Sequence, residues 1–158
     1  MKRLVIISAL FILAVILSTS VFAGEAYQML MSGGQSALVI GIVESVNEEF
    51  SSIKVEKVLM GSISSDVFKL TDTEYSKVPP LKPGEIWVLS LNEHNGNYGI
   101  AEGAYQADNT DYKTLNLLSA KEGDIPAKII QEFINSGVFI EADKKAKEQQ
   151  KFLENPSS

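Results

Sequence analysis

The only histidine of the 158-residue chain, His94, stands in "LSLNEHNGNYGIAEG" between Glu93 and Asn95-Gly96. A histidine beside a carboxylate has the residue types of a general base or a metal ligand. The residues that follow it argue for a turn instead. Asn-Gly between two alternating apolar runs signals a hairpin, because a type I′ turn needs positive φ at both central residues. With Asn95 and Gly96 at the tip, His94 faces Asn97, Glu93 faces Tyr98, Asn92 faces Gly99, Leu91 faces Ile100 and Ser90 faces Ala101. The expectation is an exposed His94 at a hairpin tip, with no catalytic partner fixed by local geometry.

Other chemistries are weighed the same way. Zinc draws three or four ligands from Cys, His and carboxylates, and this chain has one histidine and no cysteine. "ADNTDY" offers Asp108, Asn109 and Asp111 to calcium but lacks the spacing and glycine of an EF-hand loop, so an Asx turn is expected there. "MSGGQS" has the glycines of a phosphate loop without its lysine. A Ser-His-Asp site would have to use His94, and no nucleophile elbow is present. A Ser-Lys pair or paired carboxylates need only common residues and stay open. Trp87, Tyr98 and Tyr105 are read as core or rim packing in preference to a ligand platform. No catalytic residue, metal or cofactor is therefore assigned.

Export is written at the start of the chain. Lys2 and Arg3 precede an apolar run from Leu4 to Leu17, followed by Ser18, Thr19, Ser20 and the small residue Ala23. That is a signal-peptide layout, with cleavage expected after Ala23 or Ala26. An uncleaved anchor is the alternative, since about 20 apolar residues can span a bilayer. Cleavage after Ala23 removes two of the 14 basic residues and none of the 20 acidic ones. It leaves no arginine, which disfavours phosphate and nucleic-acid recognition. A cysteine-free exported domain must stand on its apolar core.

The elements that would position any site follow from periodicity. "SALVIGIVESV" reads as a strand buried on both faces at its start, with Gly41 at a bend. "SSIKVEKVLMG" slips phase at Val58, as a β-bulge would make it. "DVFKL" puts Phe68 and Leu70 on one face, "EIWVLSLNE" and "NYGIAEGAY" form the hairpin, and Tyr112–Leu118 is a weaker sixth strand. Pro79, Pro80 and Pro83 exclude helix or central strand between the third and fourth. From Ile125 to Ile134 the apolar residues recur at helical spacing, with Asp124 to cap and Gly137 to stop. The expected layout is a signal peptide over 1–23, a flexible lead-in over 24–35, a domain over 36–140, and a charged tail over 141–158.

Short bent strands ending in a helix suggest a mainly β fold, a small antiparallel barrel of five to six strands with a C-terminal amphipathic helix. Gly41 and Val43, then Val55, Val58 and Gly61, then Leu81, Gly84, Glu85 and Trp87 give a pattern that resembles the OB-like barrels of secreted bacterial proteins. It is more distantly similar to the netrin-like domain of the tissue inhibitors of metalloproteinases. Those inhibitors bind their target's zinc through an N-terminal cysteine, which this chain lacks, so the resemblance implies the fold and not that mechanism.

The expected function is an exported, non-enzymatic binding module for a protein, peptide or envelope component, either secreted or held in the cell envelope, in the periplasm or at the cell surface. A protease-inhibitor-like protein using residues 24–35 as an inserting arm is the alternative, and an envelope hydrolase with a Ser-Lys or carboxylate site is the third. The hairpin register places Ser90, Asn92, Gly99 and Ala101 on a small, smooth strip, a possible partner surface unless the C-terminal helix covers it through Ile129 and Phe133. Intact-mass measurement of the exported protein is expected to show a chain starting at Gly24 or Tyr27. A full-length chain held in the membrane fraction would identify the apolar run as an anchor instead.

Overall fold

The structure is a computed structural model that describes residues 28, 30–74, 77–123 and 125–154, with backbone alone for 119–123. The signal segment and both cleavage positions, the Asp124 cap and residues 155–158 lie outside the described residues. In chain order the elements are β1 (Ala37–Val46), β2 (Ser51–Gly61), β3 (Val67–Leu70), β4 (Ile86–His94), β5 (Asn97–Ala107), β6 (Leu117–Gly123), α1 (Ala127–Asn135) and α2 (Val138–Glu154). One sheet runs β3-β2-β1-β4-β5-β6, and β3 also meets β5, so that β1 to β5 close into a ring and β6 extends along β5. The pairings are antiparallel apart from the single parallel contact, Leu70 with Tyr98, that closes the ring. The protein is mainly β, a ring of strands with C-terminal helices.

From Ala37 to Gly41 β1 is apolar on both faces because both are covered, whereas Glu44 to Val46 are exposed. Val39 and Val43 point into the ring with Ile53, Leu70, Trp87 and Leu91. Leu38 and Ile40 point outward, beneath Ile130, Phe133 and Ile134 of α1 and Phe139 of α2. Burying a side chain of this size is worth about 1.5–3 kcal/mol, so β1 alone anchors two cores. The strand bends where expected: register breaks between Ile40 and Gly41, and again between Leu38 and Val39, leave Glu56 and Leu59 of β2 without partners. A Cβ at Gly41 would sit 2.5 Å from Ile53 Cγ2, so glycine is what lets β2 curl over β1 here.

Ring closure rests on β5. Thr71 N donates to Tyr98 O at 2.9 Å, and Phe68 meets the Tyr98 ring edge-on at 5.0 Å between centroids. The helices close the other side. α1 begins after Pro126 without a side-chain capping bond and stops at Gly137, whose N–H donates to Ile134 O at 3.0 Å and whose positive φ of 74° turns the chain away from the helix axis. Tyr105 on β5 donates its hydroxyl to Ile125 O at 2.7 Å, tying the segment before α1 to the sheet.

Four expectations need correction. The sixth strand is not Tyr112–Leu118 but Leu117–Gly123, because Asp108 and Asp111 take the N–H groups of Asn116 and Lys113 and turn residues 108–116 into a loop. In the hairpin Ser90 does not face Ala101: the register jumps from Leu91 with Ile100 to Leu89 with Ala104, so β5 bulges. The lead-in is not loose in its described part, where Leu30 is fully buried in the outer core and Gln35 Nε2 donates to Leu30 O at 3.3 Å. The charged tail does not begin apart from the domain at 141: α2 runs from Val138 to Glu154, largely exposed but anchored at its start. Ala142 is buried and Asp143 Oδ1 accepts from Gly61 N at 2.8 Å.

Leu30→Ala is expected to cost about 2–5 kcal/mol in urea unfolding with an unchanged m-value, the cost of a core cavity. A loss below about 0.5 kcal/mol, the scale of a surface change, would show that residues 28–35 are not part of the fold.

Candidate functional site

The structure brings the sequence-predicted residues to the following places. His94 is exposed and pairs with Asn97 across a tip in which Asn95 and Gly96 have φ of 52° and 78°, the type I′ signature. The proposed strip is not an open surface. Ser90 is 2% exposed and its Oγ accepts from Glu102 N at 3.3 Å. Thr73 Cγ2 lies where a Cβ of Gly99 would be. Asn92 is exposed but its Oδ1 accepts from Ser36 N at 3.3 Å, and Ala101 is half-buried. Ile129 and Phe133 do not cover the strip at the hairpin; Phe133 packs in the outer core with Val88 and Tyr105, and Ile129 at its margin.

Trp87, Tyr98 and Tyr105 are buried and offer no platform. The Asp108–Asp111 loop is an Asx turn: Asp111 N donates to Asn109 Oδ1 at 2.9 Å. Side-chain and backbone N–H groups of Asn116 bond Asp108 at 2.8 and 2.7 Å and hold its carboxyl below the ordinary value. Among the described residues no three His, Asp or Glu side chains gather as metal ligands. A hollow of about 130 Å³ between β2 and α2 gathers Ser36, Ser62, Asp143 and Lys147, residue types for Ser-Lys chemistry. Lys147 Nζ, however, bonds Asp143 Oδ2 at 2.6 Å, Ser36 Oγ accepts from Glu93 N at 2.9 Å, and neither serine bonds the lysine.

A larger opening lies at one end of the ring. The β1–β2 turn at 47–50 and the connection at 71–81 border a cleft of about 370 Å³, within the usual size of small binding sites. Its floor is the end of the inner core, Leu70, Leu81 and Ser51; Val78, Pro79 and Pro80 form one wall, and Val46 and Phe50 another. Glu48, Glu49 and Asp72 supply its charge.

Local bonds hold both rims. Asn47 Oδ1 accepts from Glu49 N and Phe50 N, each at 2.9 Å, so the turn satisfies its own donors and turns Glu48 and Glu49 outward. Asp72 Oδ1 accepts from Val78 N at 2.7 Å and Oδ2 pairs with Lys77 at 3.2 Å. The bond from Val78 first, and then Lys77, lower the Asp72 pKa below 3.8. Glu85 anchors the far end of the connection, accepting from Lys82 N at 3.0 Å and from Trp87 Nε1 at 3.1 Å.

Comparison with protein-family models, curated proteins and solved structures finds no match for the chain. Sequence reasoning did not find this cleft. Asn47 ahead of two glutamates is an Asx-turn signal, and the proline pair marks an irregular wall, but nothing in one dimension says that segments 20 residues apart border the same opening.

Because the Asp72 pKa is depressed in the fold, the stability it contributes is complete above the unfolded value and disappears as pH falls through the lower folded value. Asp72→Asn is therefore expected to flatten part of the stability loss below about pH 4, read as a shallower fall of the urea midpoint. An acid profile identical to that of the wild type would show that Asp72 does not hold the connection.

Proposed function

We propose that the protein is an exported, non-enzymatic binding module that takes a segment of a partner protein in the mouth of its ring, in the periplasm or at the cell surface. The observation that carries this reading is the mouth cleft itself. An apolar floor continuous with the core opens to solvent between two rims fixed by Asn47, Asp72 and Glu85. A preformed concavity of this kind costs little ordering on binding. Export is supported by the signal-type start, and a partner other than nucleic acid by an excess of acidic over basic residues. Among the described residues no helix is long and apolar enough to cross a membrane.

Kinship with secreted OB-like barrels, and distantly with netrin-like domains, belongs to the same proposal. Its support is the ring order β1-β2-β3-β5-β4 together with Gly41 at the bend, Gly61 at the end of β2 and Trp87 in the inner core. The inserting-arm alternative loses ground, since Leu30 is committed to the outer core.

The test is capture from the envelope and secreted fractions of the producing cell with the mature domain and with Val46→Trp. Val46 is 44% exposed at the rim, so tryptophan there fills the cleft without entering a core. The wild type is expected to retain a partner that the variant, with an unchanged urea midpoint, does not. Equal capture by both proteins, or capture by neither, would overturn the proposal.

A further inference from the structure

We propose that the mouth takes a lysine side chain of an extended peptide segment, an inference that rests on the mouth being the binding site. Charge points to a cation. Glu48, Glu49 and Asp72 line the cleft, and among the described residues no lysine does. Asp72 already carries Lys77 and Val78 N, whereas Glu48 and Glu49 are unpaired among the described residues. Two free carboxylates on a turn held by Asn47 present negative charge beside a low-dielectric opening, where field lines concentrate. The excess of 20 acidic over 14 basic residues in the whole chain steers cations the same way.

Shape and hydrogen bonding narrow the cation to an alkylammonium. Leu70 and Leu81 of the floor, with the wall of Pro79, suit a methylene stem, and the carboxylates stand at the rim where a charged head remains hydrated. Ser51 adds an independent pointer. It lines the cleft and is only 5% exposed. A hydroxyl that lines the cleft can accept a hydrogen bond from a ligand donor. An ammonium offers three donors as a compact charge that separate acceptors can share, without the fixed fork of a guanidinium.

The experiment follows amide NMR shifts at 47–51 and 71–81 on titration of the mature domain with a capped tri-lysine peptide, with its Nε-acetylated counterpart, and with n-butylammonium. The lysine peptide is expected to shift these amides and to weaken with added salt. The acetylated peptide and butylammonium are each expected to bind at least tenfold more weakly, and the Glu48→Gln/Glu49→Gln double variant to lose at least tenfold for the lysine peptide. Equal binding of lysine and acetyl-lysine peptides at the mouth would overturn the charge inference while leaving the mouth as the site. Butylammonium binding as tightly as the peptide would replace the peptide with a free amine and overturn the inference likewise. Shifts confined to other regions, or none with any probe, would overturn both the inference and the reading of the mouth.

Discussion

From Ala37 to Gly41 strand β1 meets water on neither face, and the rest of the molecule is arranged around that constraint. It pairs with β2 along one edge and β4 along the other, so its backbone is satisfied laterally while its side chains serve two separate cores. The inner core is enclosed by the ring. The outer core would be an exposed apolar surface if α1, the start of α2 and Leu30 did not lie over it. The C-terminal helices are thus a structural requirement of β1, and they take the outer face out of consideration as a binding surface.

Closing the ring leaves two open ends, and their treatment differs. At the hairpin end, Ser36 bonds Asn92 and the Glu93 amide, and Thr73 covers Gly99, so the polar groups there are used internally. At the mouth no element crosses the floor of Leu70, Leu81 and Ser51 among the described residues, and the flanking loops fold their polar groups back on themselves through Asn47, Asp72 and Glu85. Loops that satisfy their own donors need no help from the ring, which is why they can stand apart and leave a cleft between them.

Much of the fold was legible where the local signal was strong and unopposed. The Asn95-Gly96 tip, the registers from His94 to Leu91, the bend at Gly41 and the shared face of Phe68 and Leu70 all came through, since turn chemistry and period-two alternation act over a few residues. Legibility failed where a side chain competed with the ladder. Asp108 and Asp111 hold 112–116 in a loop despite an alternating pattern, and the β5 bulge moves Ser90 off Ala101. The candidate site was less legible than the fold. Ser90 and Gly99 were placed on the correct face, but the covering Thr73 comes from a segment whose path no local pattern sets.

By itself the sequence determined the class of the molecule: an apolar, β-branched chain without cysteine must bury its strands in a sheet that hides its edges and faces. Those properties depend on composition and on residue spacings shorter than one strand. Tertiary structure alone decided which surface stayed open. The mouth exists because the 47–50 turn and the 71–81 connection stand across the end of the same core, and the hairpin strip is closed because the chain after β3 runs back along β5. Such contacts are fixed by the closure of the ring, a long-range condition satisfied by all five strands together and written in no single stretch of them.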